Sequence, residues 1–219
     1  MSEYQFTKDW FHWAPEVWKQ LIPLLPGRQR FLEIGSFEGR SAVWIVENMM
    51  EDGGYIDCID TWEGGEEHSE EDMAAVEARF EHNLELASDR SGIFDGDVAR
   101  NYFKMKGPSA KILAGILAEG EDSGVFVSED IRATKPKYDF IYIDGSHIAK
   151  DVLTDACMAW PLLKPKGIMV FDDYMWGNPR DILHRPKPAI DAFCNIFAEE
   201  VDIVHVGYQL IVRKKEGAN

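Results

Sequence analysis

Positive charge is scarce in this chain. Its 219 residues carry 23 Lys and Arg against 39 Asp and Glu, a formal net charge of −16. That leaves no broad basic surface of the kind that holds a nucleic-acid backbone or an anionic membrane, so neither is expected as a partner. Long apolar runs are missing too. Nowhere do about 18 apolar residues follow one another, so no transmembrane helix is expected. The opening Met1-Ser2-Glu3-Tyr4 has neither the basic start nor the apolar centre of a signal peptide. Cysteine is rare: Cys58, Cys157 and Cys194 are scattered, odd in number and set among apolar neighbours. This excludes a disulfide framework and a thiolate metal cluster, and the expectation is reduced core thiols in a cytoplasmic protein.

What the chain does have is alternation. Apolar strand-like runs fall at residues 31–34, 55–60, 101–105, 138–143, 168–171, 201–206 and 208–213. Helical patterns separate most of them, at about 41–50, 70–87, 109–119, 149–160 and 189–199, with Ser69 and Asp72 spaced as a capping box. Alternating strands and helices predict an α/β fold, a doubly wound, mostly parallel seven-stranded sheet. The closing pair, joined tightly at Gly207, predicts one antiparallel strand near the C-terminus. Hydrophobic residues make up 45%, enough for one domain over residues 28–219. Residues 1–27, rich in aromatics and closed by Pro23 and Pro26, form an N-terminal helical segment in this reading. The acidic run 63–72 reads as a solvated face and the polar stretch 120–136 as a surface insertion.

Chemistry enters at Leu32-Glu33-Ile34-Gly35-Ser36-Phe37-Glu38-Gly39-Arg40-Ser41. A short strand, a glycine turn and a helix start make the layout of a nucleotide-binding crossover. A pyrophosphate site needs a second glycine two residues after the first, and Phe37 stands there. It also avoids a carboxylate at the strand end, where this chain has Glu33. A carboxylate repels phosphate and suits a cation. S-adenosylmethionine (SAM), with an ammonium, a sulfonium and no phosphate, meets that demand. Asp60, ending the second strand, is placed to accept both ribose hydroxyls.

The same run resembles motif I of class I methyltransferases, in a form similar to the catechol O-methyltransferase branch. Tyr138-Asp139-Phe140-Ile141-Tyr142-Ile143-Asp144-Gly145-Ser146-His147 is more distinctive. With Trp160-Pro161-Leu162-Leu163-Lys164-Pro165-Lys166-Gly167 and Phe171-Asp172-Asp173-Tyr174, it resembles the bacterial family of macrocin and related sugar O-methyltransferases. The resemblance covers roughly residues 28–213, and residues 85–98 and 120–136 depart from the family pattern. It implies a Rossmann-like fold and a cofactor site. Glu33, Gly35, Ser36 and Gly39 face the methionine end of SAM, and Ser41 meets its carboxylate at the helix start, where anions are favoured. Thr61 follows Asp60 on the cofactor side, and Trp62 either lies against adenine or packs. Gly107-Pro108-Ser109 matches the adenine-side loop, with Ser109 on the base edge and Asp97 as a rival contact.

Asp144 ends the fourth strand and Asp172-Asp173 the fifth. These strands are neighbours in such a sheet, which gathers three carboxylates at one edge, with Asp144 also within reach of SAM. Crowded carboxylates repel unless a proton or a cation intervenes, and oxygen ligands suit Mg²⁺. By the resemblance, His147 occupies the position of the catechol enzymes' base, so either His147 or Asp144 receives the substrate proton, or His147 is structural and caps or orients the following helix. Tyr174, Trp176, Trp10 and Trp13 either line the acceptor pocket or pack, and Asp191 is structural. His12, His68, His82, His184 and His205 show no ligand spacing. The expected function is Mg²⁺-assisted, SAM-dependent O-methylation of a small hydroxylated molecule: a sugar, a glycosylated natural product or a catechol-like ring. The alternatives are a nicotinamide-dependent oxidoreductase and a non-catalytic SAM-binding protein. The oligomeric state is left open, a homo-oligomer included.

Overall fold

The computed structural model describes residues 3–65, 71–92, 101–118, 138–177 and 181–217. Ser69, Asp97 and the polar stretch 120–136 lie outside the described residues. The strands are β1 (Arg30–Ile34), β2 (Tyr55–Asp60), β3 (Tyr102–Lys106), β4 (Tyr138–Ile143), β5 (Leu163–Phe171), β6 (Val201–Val206) and β7 (Leu210–Lys214). The helices are α1 (Ala14–Leu21), α2 (Arg40–Asn48), α3 (Met73–Ser91), α4 (Ser109–Ala118), α5 (Ala149–Ala159) and α6 (Lys187–Ile196). The strands form one seven-stranded sheet in the order β3-β2-β1-β4-β5-β7-β6. β1 to β5 pair in parallel, and β7 runs antiparallel to both β5 and β6. The fold is therefore the expected Rossmann-like sheet with one reversed strand.

Its centre is buried on both faces, which is why β4 is apolar at all but Asp139 rather than alternating. From β1 the chain winds outward through β2 and β3, then returns to lay β4 on the other side of β1. That reversal opens a crevice at the carboxyl ends of β1 and β4, where such sheets bind ligands. Backbone bonds lace the loops at this edge: Gly35 N donates to Ile59 O, Asp144 N to Ile34 O, Asp172 N to Ile143 O and Gly107 N to Asp60 O.

Three details depart from the sequence reading. Asp72 itself caps α3, its carboxylate accepting from Ala74 N and Ala75 N. β5 begins at Leu163, before the expected turn, because Lys166 takes a positive φ of 66° and the β4–β5 register shifts to absorb the extra residues. Residues 3–27 are also more than an appendage. Trp18 is fully buried, its ring edge-on to Phe140 at 5.1 Å and Tyr142 at 4.9 Å. Ahead of it an extended strap is pinned to buried polar groups. Thr7 N and Oγ1 donate to Glu38, which also receives Arg79 Nε, and Asn83 exchanges two hydrogen bonds with the Gln5 backbone. Among the described residues, no helix is long and apolar enough to cross a membrane.

Candidate functional site

The turn after β1 places the first group. Gly35 (φ 88°) and Gly39 (φ 78°) are both left-handed, where side chains are strained. A Cβ on Gly35 would sit 2.0 Å from Asp144 O, and one on Gly39 2.3 Å from Leu84 Cδ2. These glycines are thus required by the protein's own close packing, before any cofactor approaches. Glu33 lies beneath the turn, fully buried, its Oε1 accepting from Ser41 Oγ at 2.5 Å. Its Oε2 and the buried Ser36 Oγ have no partner at hydrogen-bond geometry among the described residues. Burial pushes the Glu33 carboxyl up to about 7, against the pull of the Ser36 and Ser41 hydroxyls. Such a group takes up a cationic donor readily, since the donor restores the solvation that burial removed.

Asp60 is placed differently. Its Oδ2 accepts from Ser36 N and Phe37 N, each at 2.9 Å, and its Oδ1 from Trp62 N at 2.8 Å. The carboxylate therefore fastens the glycine turn to the end of β2, with spare lone pairs for a ligand hydroxyl. Thr61 Oγ1 accepts from Glu63 N. Trp62 packs: it is buried, donates its indole N–H to Phe37 O and lies 4.8 Å from the Phe80 ring. Ser109, opening α4, donates to Asp155 Oδ1 at 2.6 Å. Asp155 was not singled out from the sequence; burial raises its carboxyl to about 6.

The other side of the crevice gathers the carboxylates of β4 and β5. Ligand atoms of Asp144, His147 and Asp173 lie within 4.8 Å of one another. His147 Nε2 pairs with Asp173 Oδ2 at 2.6 Å, and Tyr208 donates to Asp173 Oδ1 at 2.8 Å. Asp173 holds a positive φ of 55°, a conformation Asp tolerates better than most residues. That turn of the backbone sends the two adjacent carboxylates in different directions. Asp173 faces His147, while Asp172 faces inward to Tyr142 and Gln209. The cluster therefore differs from the expected trio by one member, with His147 where Asp172 was expected.

Burial raises Asp144 well above the ordinary carboxylate range, helped by the charges of Asp172 and Asp173. Asp172 is raised to about 6, by burial and then by Asp173. The Trp176 ring lies 4.1 Å from the His147 ring and is partly exposed, so it walls the open side of the cluster. Trp13 lies edge-on to Tyr208 at 5.3 Å, and Trp10 stacks at a tilt on Phe37 of the glycine turn. Tyr174 and Lys187 both bond Asp191, which holds α6 to the loop after β5. Sequence reading missed Tyr142, Gln209 and Trp18. Only Tyr142 carried a signal, standing two residues before Asp144 on the same strand face.

The profile of the family described as a methyltransferase domain matches residues 32–174. No curated protein matches the chain. An O-methyltransferase from Bacillus cereus in complex with SAH is similar with a TM-score of 0.60 and 16% identity, over 98% of this chain and 84% of that one. TomG of Streptomyces achromogenes, an O-methyltransferase of tomaymycin synthesis in complex with SAM, gives 0.61 and 17% over 93% and 81%. MycE of the mycinamycin pathway, in complex with Mg, SAH and mycinamycin VI, gives 0.56 and 15% over 98% of this chain and 53% of that one. At these identities the likeness is one of fold.

Proposed function

The chain belongs to the methyltransferase domain family, and from that premise we propose that it is a SAM-dependent, Mg²⁺-assisted O-methyltransferase of a small hydroxylated acceptor. The observation that carries the reading is the pairing, across one crevice, of a cation-seeking buried carboxylate, Glu33, with the cluster Asp144, His147 and Asp173. SAM supplies an electrophilic methyl group on its sulfonium. Glu33 Oε2 and Ser36 Oγ offer its ammonium two unfilled acceptors, Asp60 has lone pairs for ribose hydroxyls, and Ser109 stands on the adenine side.

Asp144 and Asp173 fit a hard divalent cation, since their crowded carboxylates supply oxygen ligands and a bound charge offsets their repulsion. Mg²⁺ held there would make a nearby hydroxyl more acidic. His147, aligned by the pairing of its Nε2 with Asp173, accepts the acceptor's proton, and Asp173 stabilises the imidazolium that results. Trp176 and Tyr208 flank the approach to the cluster. Sugars, glycosylated natural products and catechol-like rings all present the hydroxyl this arrangement serves. The three cysteines, all free thiols, accord with the cytoplasmic location proposed with this function.

The nicotinamide reading gains no support, because Phe37 and Glu33 occupy the places a pyrophosphate needs. The test is transfer of labelled methyl from SAM across a panel of those three acceptor classes, with Mg²⁺ and with EDTA. Turnover that stops in EDTA is expected. Full turnover in EDTA removes the metal from the reading, and SAM binding with no turnover on any acceptor leaves a non-catalytic SAM-binding protein.

A further inference from the structure

Asp172 is turned away from the open cluster by a buried chain of polar groups that begins far off in α1. Trp18 Nε1 donates to Gln209 Oε1 at 2.8 Å, and Gln209 Nε2 donates to Asp172 Oδ2 at 3.1 Å. The Tyr142 hydroxyl meets the same Asp172 oxygen and lies 2.9 Å from Asp144 Oδ2. Asp173 N closes the set on Asp172 Oδ1 at 2.7 Å. Trp18, Gln209 and Tyr142 are all buried. An indole N–H can only donate. It therefore decides which end of the Gln209 amide faces Asp172, and the end presented is the donor.

A buried amide is costly unless both ends are bonded, and an apolar side chain of the same size would fill the place without that cost. Here both ends are bonded, and what the amide controls is the direction of a carboxylate. We infer that Gln209 is a positioning residue for the active site: held by Trp18, it fixes Asp172, and through the shared Tyr142 hydroxyl it sets the position of Asp144. The inference rests on the reading that Asp144 and Asp173 hold a divalent cation, so its test needs one measurement that uses the metal and one that does not.

Mn²⁺ alone, titrated by electron paramagnetic resonance into the full-length protein, is the metal probe. The second measurement is the NMR signal of the Tyr142 hydroxyl proton, assigned by its loss in Tyr142→Phe. Gln209→Leu is expected to weaken Mn²⁺ about tenfold and to shift the Tyr142 signal, with SAM affinity by calorimetry within twofold of the native protein. Trp18→Phe, which frees the amide to rotate, should shift the signal the same way and weaken Mn²⁺ about threefold. A folded Gln209→Leu with native Mn²⁺ affinity and an unmoved Tyr142 signal overturns the inference and leaves Gln209 a packing residue. If Gln209→Leu does not fold, Trp18→Phe decides by the same two readouts. If the native protein binds no Mn²⁺, the metal reading fails by itself. The Tyr142 signal in Gln209→Leu then decides alone, moved in support or unmoved against.

Discussion

At the ends of β1 and β2 each carboxylate is tied to the glycine turn by its own donors; at the ends of β4 and β5 the carboxylates crowd. Glu33 lies under the glycine turn with one hydroxyl donor and one unfilled oxygen, and Asp60 binds the turn with three backbone N–H groups. Asp144, Asp172 and Asp173 instead crowd the neighbouring strand ends, and the charges of Asp172 and Asp173 add to burial in raising Asp144. The first corner needs a single cationic donor to complete one carboxylate. The second needs either a proton or a metal ion to relieve several. The proposed ammonium site and the proposed divalent-cation site differ in this respect: one lacks a donor, the other carries excess negative charge.

The largest effect expected from breaking the acceptor corner alone is that of His147→Ala. Methyl transfer should fall on the order of 10²–10⁴-fold, the range for a general base, with SAM affinity by calorimetry unchanged. Near-native turnover would pass the proton to Asp144.

The cofactor corner is sharpened by pH. Folded Glu33 titrates near 7 because it is buried, against about 4.3 for an unperturbed glutamate. Between those values the folded chain holds a proton that the unfolded chain has lost. Its contribution to stability is therefore fully present below about pH 4.3 and is lost as pH rises through 7, by roughly 4 kcal/mol at most. Urea unfolding of Glu33→Gln should show that part of the slope removed. A slope identical to the native protein's would mean that Glu33 is already ionised when folded.

Binding gives the next effect in size. Glu33→Gln and Asp60→Ala should each weaken SAM by roughly 1–3 kcal/mol, the scale of hydrogen bonds to a charged partner. Native SAM binding at pH 6 should release close to one proton, seen by calorimetry in buffers of different ionisation enthalpy. Binding without proton release, or an Asp60→Ala variant that folds and binds SAM as before, would dissolve the contrast between the two corners. The smallest effect is that of Ser109→Ala, which should loosen SAM by about 1 kcal/mol or less and leave Mg²⁺ dependence alone. If Asp97→Ala loosens SAM and Ser109→Ala does not, the adenine lies on the side of residues 93–100.

How much of this was legible beforehand varies along the chain. β2 and β4 were read to the residue, since both are mostly apolar runs closed by an aspartate and covered on both faces. The N-terminal segment was read as a helical segment outside the alternating pattern, its aromatics left between packing and lining the acceptor pocket. What joins it to the core is the burial of Trp18 against Tyr142, a contact that spacing does not reveal. β5 was read short because Pro165 and Gly167 look like a turn. A register shift against β4, with Lys166 at positive φ, keeps them within the strand.

The sequence by itself determined that a carboxylate would stand under a glycine turn, that Asp60, Asp144, Asp172 and Asp173 would end their strands at one edge, and that few cations would be near to neutralise them. These are local facts, because strand period and turn chemistry act over a few residues. Only the tertiary structure decided which carboxylates meet. The left-handed backbone at Asp173 parts it from Asp172, and the bond from Trp18 to Gln209 joins residues 191 positions apart. Such partners are selected when buried polar groups must be satisfied by whatever the packed faces bring within reach, and no local pattern encodes that choice.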